Sequence, residues 1–294
     1  ADSRPDVVGA ALVTAFTVAT LFAVEAVGVW SLPWLVAISV SAWMYLRHAR
    51  RVANPIVRLE HIIVQPYSGL AVGTGLMLAG AIAVNAYLPL YVRAGRGASA
   101  GLTAWSVLFF TVGWTLGANI GSRQLDRHSE SWLALFGFFI TVPALGALAI
   151  AVLVNAPLPV VFAASLAAGI GVGVSTNAGL TLIRAVTPGS QIGRVGAAYQ
   201  FARNQGFTYG AAIGGALLLL VVAARIGDVE SVRSLLAGED DVVNAATAEA
   251  VRMGFSIAAI AGTVIAAAGI GFIVATRRSL APARARRRGT VDDA

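Results

Sequence analysis

The sequence predicts an all-α integral membrane protein with eight transmembrane helices. Three observations predict it. Hydrophobic residues make up 57% of the 294 residues and charged residues only 12%, with a mean hydropathy of +0.78. A soluble domain is about 45–50% apolar and about 25% charged, so half the usual charge cannot cover a water-facing surface. Apolar runs of eighteen residues recur along the chain, and a helix needs about 20 such residues to cross ~30 Å of hydrocarbon. The arginines, finally, gather in alternate loops.

The runs place the helices near residues 7–26, 32–46, 67–92, 102–121, 132–154, 159–183, 195–224 and 253–275. The loop stretches "EAVGVWSLP" and "NAPLP" carry no arginine, whereas "RHARRVANPIVRLEH" carries Arg47, Arg50, Arg51 and Arg58. The tail "RRSLAPARARRRGTVDDA" carries six arginines. Cytoplasmic loops are enriched in basic residues. With the tail in the cytoplasm, eight crossings put both termini there. That side then holds fifteen arginines and the outer side five. Localisation in a bacterial cell membrane follows from this asymmetry and from the exclusive use of arginine with abundant alanine and glycine. The acidic stretch 225–252 is expected outside, as a solvated cap or a vestibule that attracts cations.

Composition also excludes. There is no cysteine, hence no disulfide or thiolate metal site. His48, His61 and His128 have no ligand spacing, so no metal or other cofactor is expected. The net charge of +7 is explained by topology rather than by nucleic acid. No nucleophile–base pair or paired intramembrane carboxylates appear, so no catalytic residues are assigned and an enzyme is not expected. Gly169, Gly171 and Gly173 imitate part of a dinucleotide fingerprint, but no strand–turn–helix surrounds them. No signal peptide precedes the first run, and the start "ADSRPD" suggests part of a longer protein.

The polar residues within the helices are the candidates for function. Arg203 is expected about eight residues into the seventh helix, or ~12 Å at 1.5 Å per residue. An arginine near mid-membrane costs about 2.5–3.5 kcal/mol on insertion scales. Gln200, Arg203 and Asn204 share one helix face, as the wall of an aqueous cavity would; snorkelling of Arg203 toward the cytoplasm is the alternative. Gly206, Gly210 and Gly214 form a small-residue stripe for close helix packing. Asn85 and Asn177 are isolated amides, suited to bonding helices together or to touching a substrate. Tyr87 and Tyr91 fit an interfacial aromatic belt, and Glu25 lies at the outer end of the first helix.

Four stretches together carry a resemblance: "RPDVVGAALVT", "ANPIVRLEH", "LPLYVRAGRGASAGLTAW" and "IGRVGAAYQFARNQGFTYGAAIGGA". In order and spacing they resemble the fourteen-helix drug:proton antiporter branch of the major facilitator superfamily. The resemblance implies two linker helices (1–58), a major-facilitator-type six-helix bundle (59–276) and a basic cytoplasmic tail (277–294). It also implies a partner, the N-terminal six-helix bundle of the same protein, together with a small amphipathic substrate, proton coupling and alternating access within the lipid bilayer. The loop "GSRQLDRHSES" is similar to the family's cytoplasmic gating motif. Asp126 and Arg127 match its acidic–basic pair, whereas Ser122 replaces the usual glycine. Asp126 is expected to pair with Arg194 or with the start of the seventh helix. The resemblance places Asn85 and Asn177 on cavity-lining helices. A different class of function, a non-transporting scaffold or assembly partner built on a half-transporter, fits the same features.

Overall fold

The computed structural model describes residues 6–25, 32–52, 55–58, 60–226 and 245–292. These residues are helical apart from short turns and connections between the elements. Helix α1 spans Val7–Glu25, α2 Leu32–Ala49, and the single turn α3 Glu60–Ile63. Helix α4 follows at Tyr67–Asn85, then the short α5 at Leu88–Leu90 and a π-helical turn at Tyr91–Gly95. Helices α6 (Ala100–Gln124), α7 (Glu130–Leu153), α8 (Leu158–Val186) and α9 (Ile192–Ile226) complete the series up to the long α10, Ala245–Asp292.

Local chemistry sets several of these boundaries. Ser99 caps α6, its hydroxyl accepting from the Leu102 N–H, as N-cap serines do. Pro89 ends α4 by lacking an N–H and crowding the carbonyl of Asn85, four residues earlier. The third expected helix is therefore a broken one. The last helix runs well beyond 253–275 at both ends. Its first two turns bury Thr247, Ala250 and Val251 and pack on the π turn, so residues 245–252 of the expected outer loop belong to the helix. Residues 227–244 lie outside the described residues. So do the side chain of Glu25 and those of the tail from 282 onward.

Among the described residues, six helices are long and apolar enough to cross a membrane. They are Tyr67–Gly95, Ala100–Gln124, Glu130–Leu153, Leu158–Val186, the segment Gly189–Ile226 and Ala245–Ala281. The apolar part of α1, Val7–Ala23, is shorter, and the 18 residues of α2 end in Arg47 and His48.

Small residues decide how the bundle closes. Lipid tails are as apolar as leucine, so helices associate through close packing rather than hydrophobic burial. A Cβ on Gly206, Gly210 or Gly214 of α9 would collide with the carbonyls of Gly75, Ala79 and Ala83 on α4. Two four-residue stripes thus run in parallel register. A second face of α4 meets α10 in antiparallel register, with Gly73 against Gly269 and Gly80 against Gly262. The run "GIGVG" serves two neighbours at once. Gly169 and Gly173 abut α6 at Phe110 and Trp114, whereas Gly171 abuts α7 at Gly137 and Thr141. Helices α6, α8, α4 and α9 adjoin in that order, and α7 and α10 pack against α8, α4 and α9. Helices α1 and α2 pair with each other, and α1 touches the bundle through α9.

Candidate functional site

Helix α9 presents a stripe of Tyr199, Arg203 and Phe207, with Tyr199 against α8 and Phe207 against α6. Tyr199 is 1% exposed, and its hydroxyl donates to the Thr176 carbonyl of α8 at 3.3 Å. The Arg203 guanidinium carbon lies 5.8 Å from the centroid of the Tyr199 ring, within cation–π range. Arg203 Nη1 donates to Gln200 Oε1 at 2.7 Å, and its Nε is buried without a hydrogen-bond partner. Arg203 is half-buried, while Gln200 and Asn204 are exposed. One turn further on, the Phe207 ring stacks on Trp114 of α6, with centroids 5.7 Å apart and planes 7° apart.

A polar belt continues across α8 onto α6. Asn177 Nδ2 donates to the Ala118 carbonyl at 3.0 Å and to Ser122 Oγ at 2.6 Å. Asn177 follows Thr176 directly, so it shares the level of Tyr199 but turns toward α6. On α6, Ala118 lies one turn from Trp114, as Arg203 lies one turn from Phe207. The result is a wall of amides, hydroxyls and one guanidinium, bounded at one end by an aromatic bridge.

Asn85 is not part of this belt. Its Nδ2 donates to the Ala81 carbonyl at 2.8 Å, and its Oδ1 accepts from Ser165 Oγ at 2.6 Å. Ser165 is eleven residues from Thr176 along α8, or ~16 Å at 1.5 Å per residue. Asn85 therefore ties α4 to α8 well away from Arg203.

Three further expectations need correction. Ser122 is not in a loop but in the last turn of α6, with its hydroxyl donating to the Ala118 carbonyl at 2.9 Å. Asp126 and Arg127 do lie in the turn between α6 and α7, and both are exposed. Among the described residues Asp126 makes no ion pair, so the expected pairing with Arg194 is absent; the turn leaves its carboxylate to water. Tyr87 and Tyr91 do not form an interfacial belt. The Tyr87 hydroxyl donates to the Ala211 carbonyl at 2.9 Å. Tyr91 is fully buried, stacked on Phe255 at 4.8 Å, and accepts from Arg96 at 3.0 Å.

Sequence reasoning missed the residues that attach the first hairpin. Gln205 Nε2 donates to Thr17 Oγ1 of α1 at 3.0 Å. Near the hairpin's other end, Asp6 accepts from the Gly9 N–H at 2.8 Å and the Ile56 N–H at 3.1 Å, and meets His48 Nε2 at 2.7 Å. Tyr45 Oη donates to the Val57 carbonyl at 2.5 Å and accepts from the Val57 N–H at 2.9 Å. One carboxylate, that of Asp6, thus ties the start of α1 to α2 at His48 and to the segment 55–58 at Ile56. Burial pushes the Asp6 carboxyl up, but the bonds from His48 and the two N–H groups outweigh it and hold it below the ordinary value. His61 is also buried, and burial pushes its pKa down. Glu60 opposes that shift, and the cations Arg58 and Arg194 add to it.

The all-helical fold is shared with solved membrane-protein structures. The chain is similar to two structures of a bacterial homologue of the human lysosomal transporter Spinster. One is inward-facing and unoccupied, with 18% identity and a TM-score of 0.55 over 92% of this chain and 64% of that one. The other is inward-facing and occupied, with 17% identity and a TM-score of 0.55 over 92% of this chain and 63% of that one. The chain therefore spans somewhat less than two thirds of the length of those transporters. At this identity the likeness shows the fold. No protein-family model and no curated protein matches the chain.

Proposed function

We propose that this chain forms the two linker helices and the second six-helix bundle of a transporter that moves small amphipathic molecules by alternating access. In such a mechanism two bundles rock about a site near the membrane midplane. The observation that carries the proposal is Arg203. It is a half-buried cation within a membrane-crossing helix, with an unpartnered buried Nε and the exposed amides of Gln200 and Asn204 beside it. Such residues are rare in membrane helices and mark substrate or ion paths. The major-facilitator-type fold, over a little less than two thirds of an inward-facing transporter, supports an N-terminal bundle of the same protein as the partner that covers this face.

Arg203 holds a polar or anionic part of the substrate, or a proton-carrying carboxylate of the other bundle, whose pKa it would lower. The Trp114–Phe207 stack bounds the chamber. Asn177 shapes its wall through α6, and Asn85 fixes α4 to α8. Proton-coupled drug efflux in a bacterial cell membrane, with both termini cytoplasmic, rests on the four resembling stretches and on the arginine asymmetry. In the assembled protein the exposed Asp126 and Arg127 would serve as gating contacts toward the other bundle.

Transport assays on the full-length protein test this. Arg203→Ala and Arg203→Lys should each lower the transport rate at least tenfold with membrane insertion unchanged, because lysine keeps the charge but loses the planar fork. A wild-type rate for Arg203→Ala would reject the site.

A further inference from the structure

We infer that the gap between the α1–α2 hairpin and α9 is a binding site for an anionic phospholipid, with an acyl chain in the gap and the headgroup on the arginines at its rim. The gap is a cavity of about 190 Å³. Its walls are Val13 and Phe16 of α1, Tyr45 and Leu46 of α2, Ile62 of α3 and Phe201 of α9. The polar atom among these side chains, the Tyr45 hydroxyl, is already bonded in both directions to Val57. The walls offer a ligand no hydrogen bond, and a cavity without polar partners does not hold ordered water. Its chemistry fits a hydrocarbon chain. The hairpin also reaches α9 further along, at Thr17, while Val13, Tyr45, Ile62 and Phe201 pack around the cavity itself.

The rim supplies the headgroup chemistry. Leu46 of the wall is followed directly by Arg47, and then by Arg50 and Arg51, all three exposed. Arg47 lies 5.5 Å over the ring of Trp43, which is 59% exposed; such an aromatic–cation pair suits headgroup depth. Among the described residues the acids nearby, Asp6 and Glu60, are spoken for. Asp6 is bonded to His48 and two N–H groups, and Glu60 pairs with Arg58 at 3.2 Å. The rim is therefore cationic, and basic clusters beside a membrane helix attract anionic lipid.

Native mass spectrometry of the full-length protein in detergent tests the site. The probes are dioleoyl phosphatidylglycerol, dioleoyl phosphatidylcholine and soluble glycerol phosphate. The wild type should retain the anionic lipid about tenfold over the zwitterionic one. Arg50→Gln with Arg51→Gln should abolish that preference, and Arg50→Lys with Arg51→Lys should keep it. Ala42 of α2 also lines the cavity, and Ala42→Phe, which fills it, should lower retention. Independently of that variant's folding, phosphatidylglycerol with brominated chains at stoichiometric amounts should quench a tryptophan in Phe16→Trp but not in Val36→Trp. Equal retention of both lipids would overturn the proposal, as it would if another part of the protein filled the gap. So would equal quenching at the two positions, or full competition by glycerol phosphate, which would mean a phosphate site without a lipid chain.

Discussion

Trp114 of α6 and Phe207 of α9 lie almost parallel, with ring centroids 5.7 Å apart. They join two helices on opposite sides of the α8–α4 centre. Aromatic pairs contribute about 0.5–1.5 kcal/mol beyond the area they bury. A double-mutant cycle of Trp114→Ala and Phe207→Ala, read by thermal unfolding in detergent, should give a coupling energy in that range. Additive effects would show that the rings do not act together.

The α4–α9 interface yields a second prediction. A side chain at Gly210 meets the backbone of Ala79, whereas a Cβ at Gly196 on the same helix meets nothing within 4 Å. Overpacking costs about 1–3 kcal/mol, sometimes more. Gly210→Leu should therefore lower the unfolding temperature strongly and Gly196→Leu hardly at all. Comparable effects of the two would refute the close approach of α9 to α4.

Acid should release the hairpin latch. The folded Asp6 pKa lies below its ordinary value, so its stabilising contribution is complete above the usual carboxylate range and is lost as pH falls through the folded value. Hydrogen exchange at the Ile56 amide, corrected for intrinsic rates, should stay slow from about pH 7 to pH 5 and accelerate below ~4. In Asp6→Asn it should be at least tenfold faster at neutral pH, since a charge-assisted bond is worth about 1.5–3 kcal/mol.

His61 responds in a higher window. Its folded pKa is depressed by burial, so the unfolded form binds protons first as pH falls below about 6.5. Protonation then favours opening of the segment around α3. Local exchange near Ile62 should rise between about pH 6.5 and pH 5, and His61→Phe should remove that dependence. An unchanged profile in the variant would assign the effect to another group.

Much of this protein was legible from its residues alone. Apolar length and scarce charge require membrane helices, and the four-residue spacing of Gly206, Gly210 and Gly214 marks a face made for close packing. Periodicity states which side chains share a face. It does not state which helix that face meets, because in lipid the side facing protein and the side facing hydrocarbon are equally apolar. Only the tertiary structure sets the glycine stripe on Gly75, Ala79 and Ala83, and only it gives Asn85 to Ser165 and Asn177 to Ala118 and Ser122. The same holds for Tyr87 and Tyr91, whose place near a helix end suggested headgroups but whose hydroxyls are taken by Ala211 and Arg96. The bond between Asp6 and His48 spans 42 residues. A hydrogen bond's energy depends on distances of a few tenths of an ångström, and folding of the whole chain, not local spacing, fixes those.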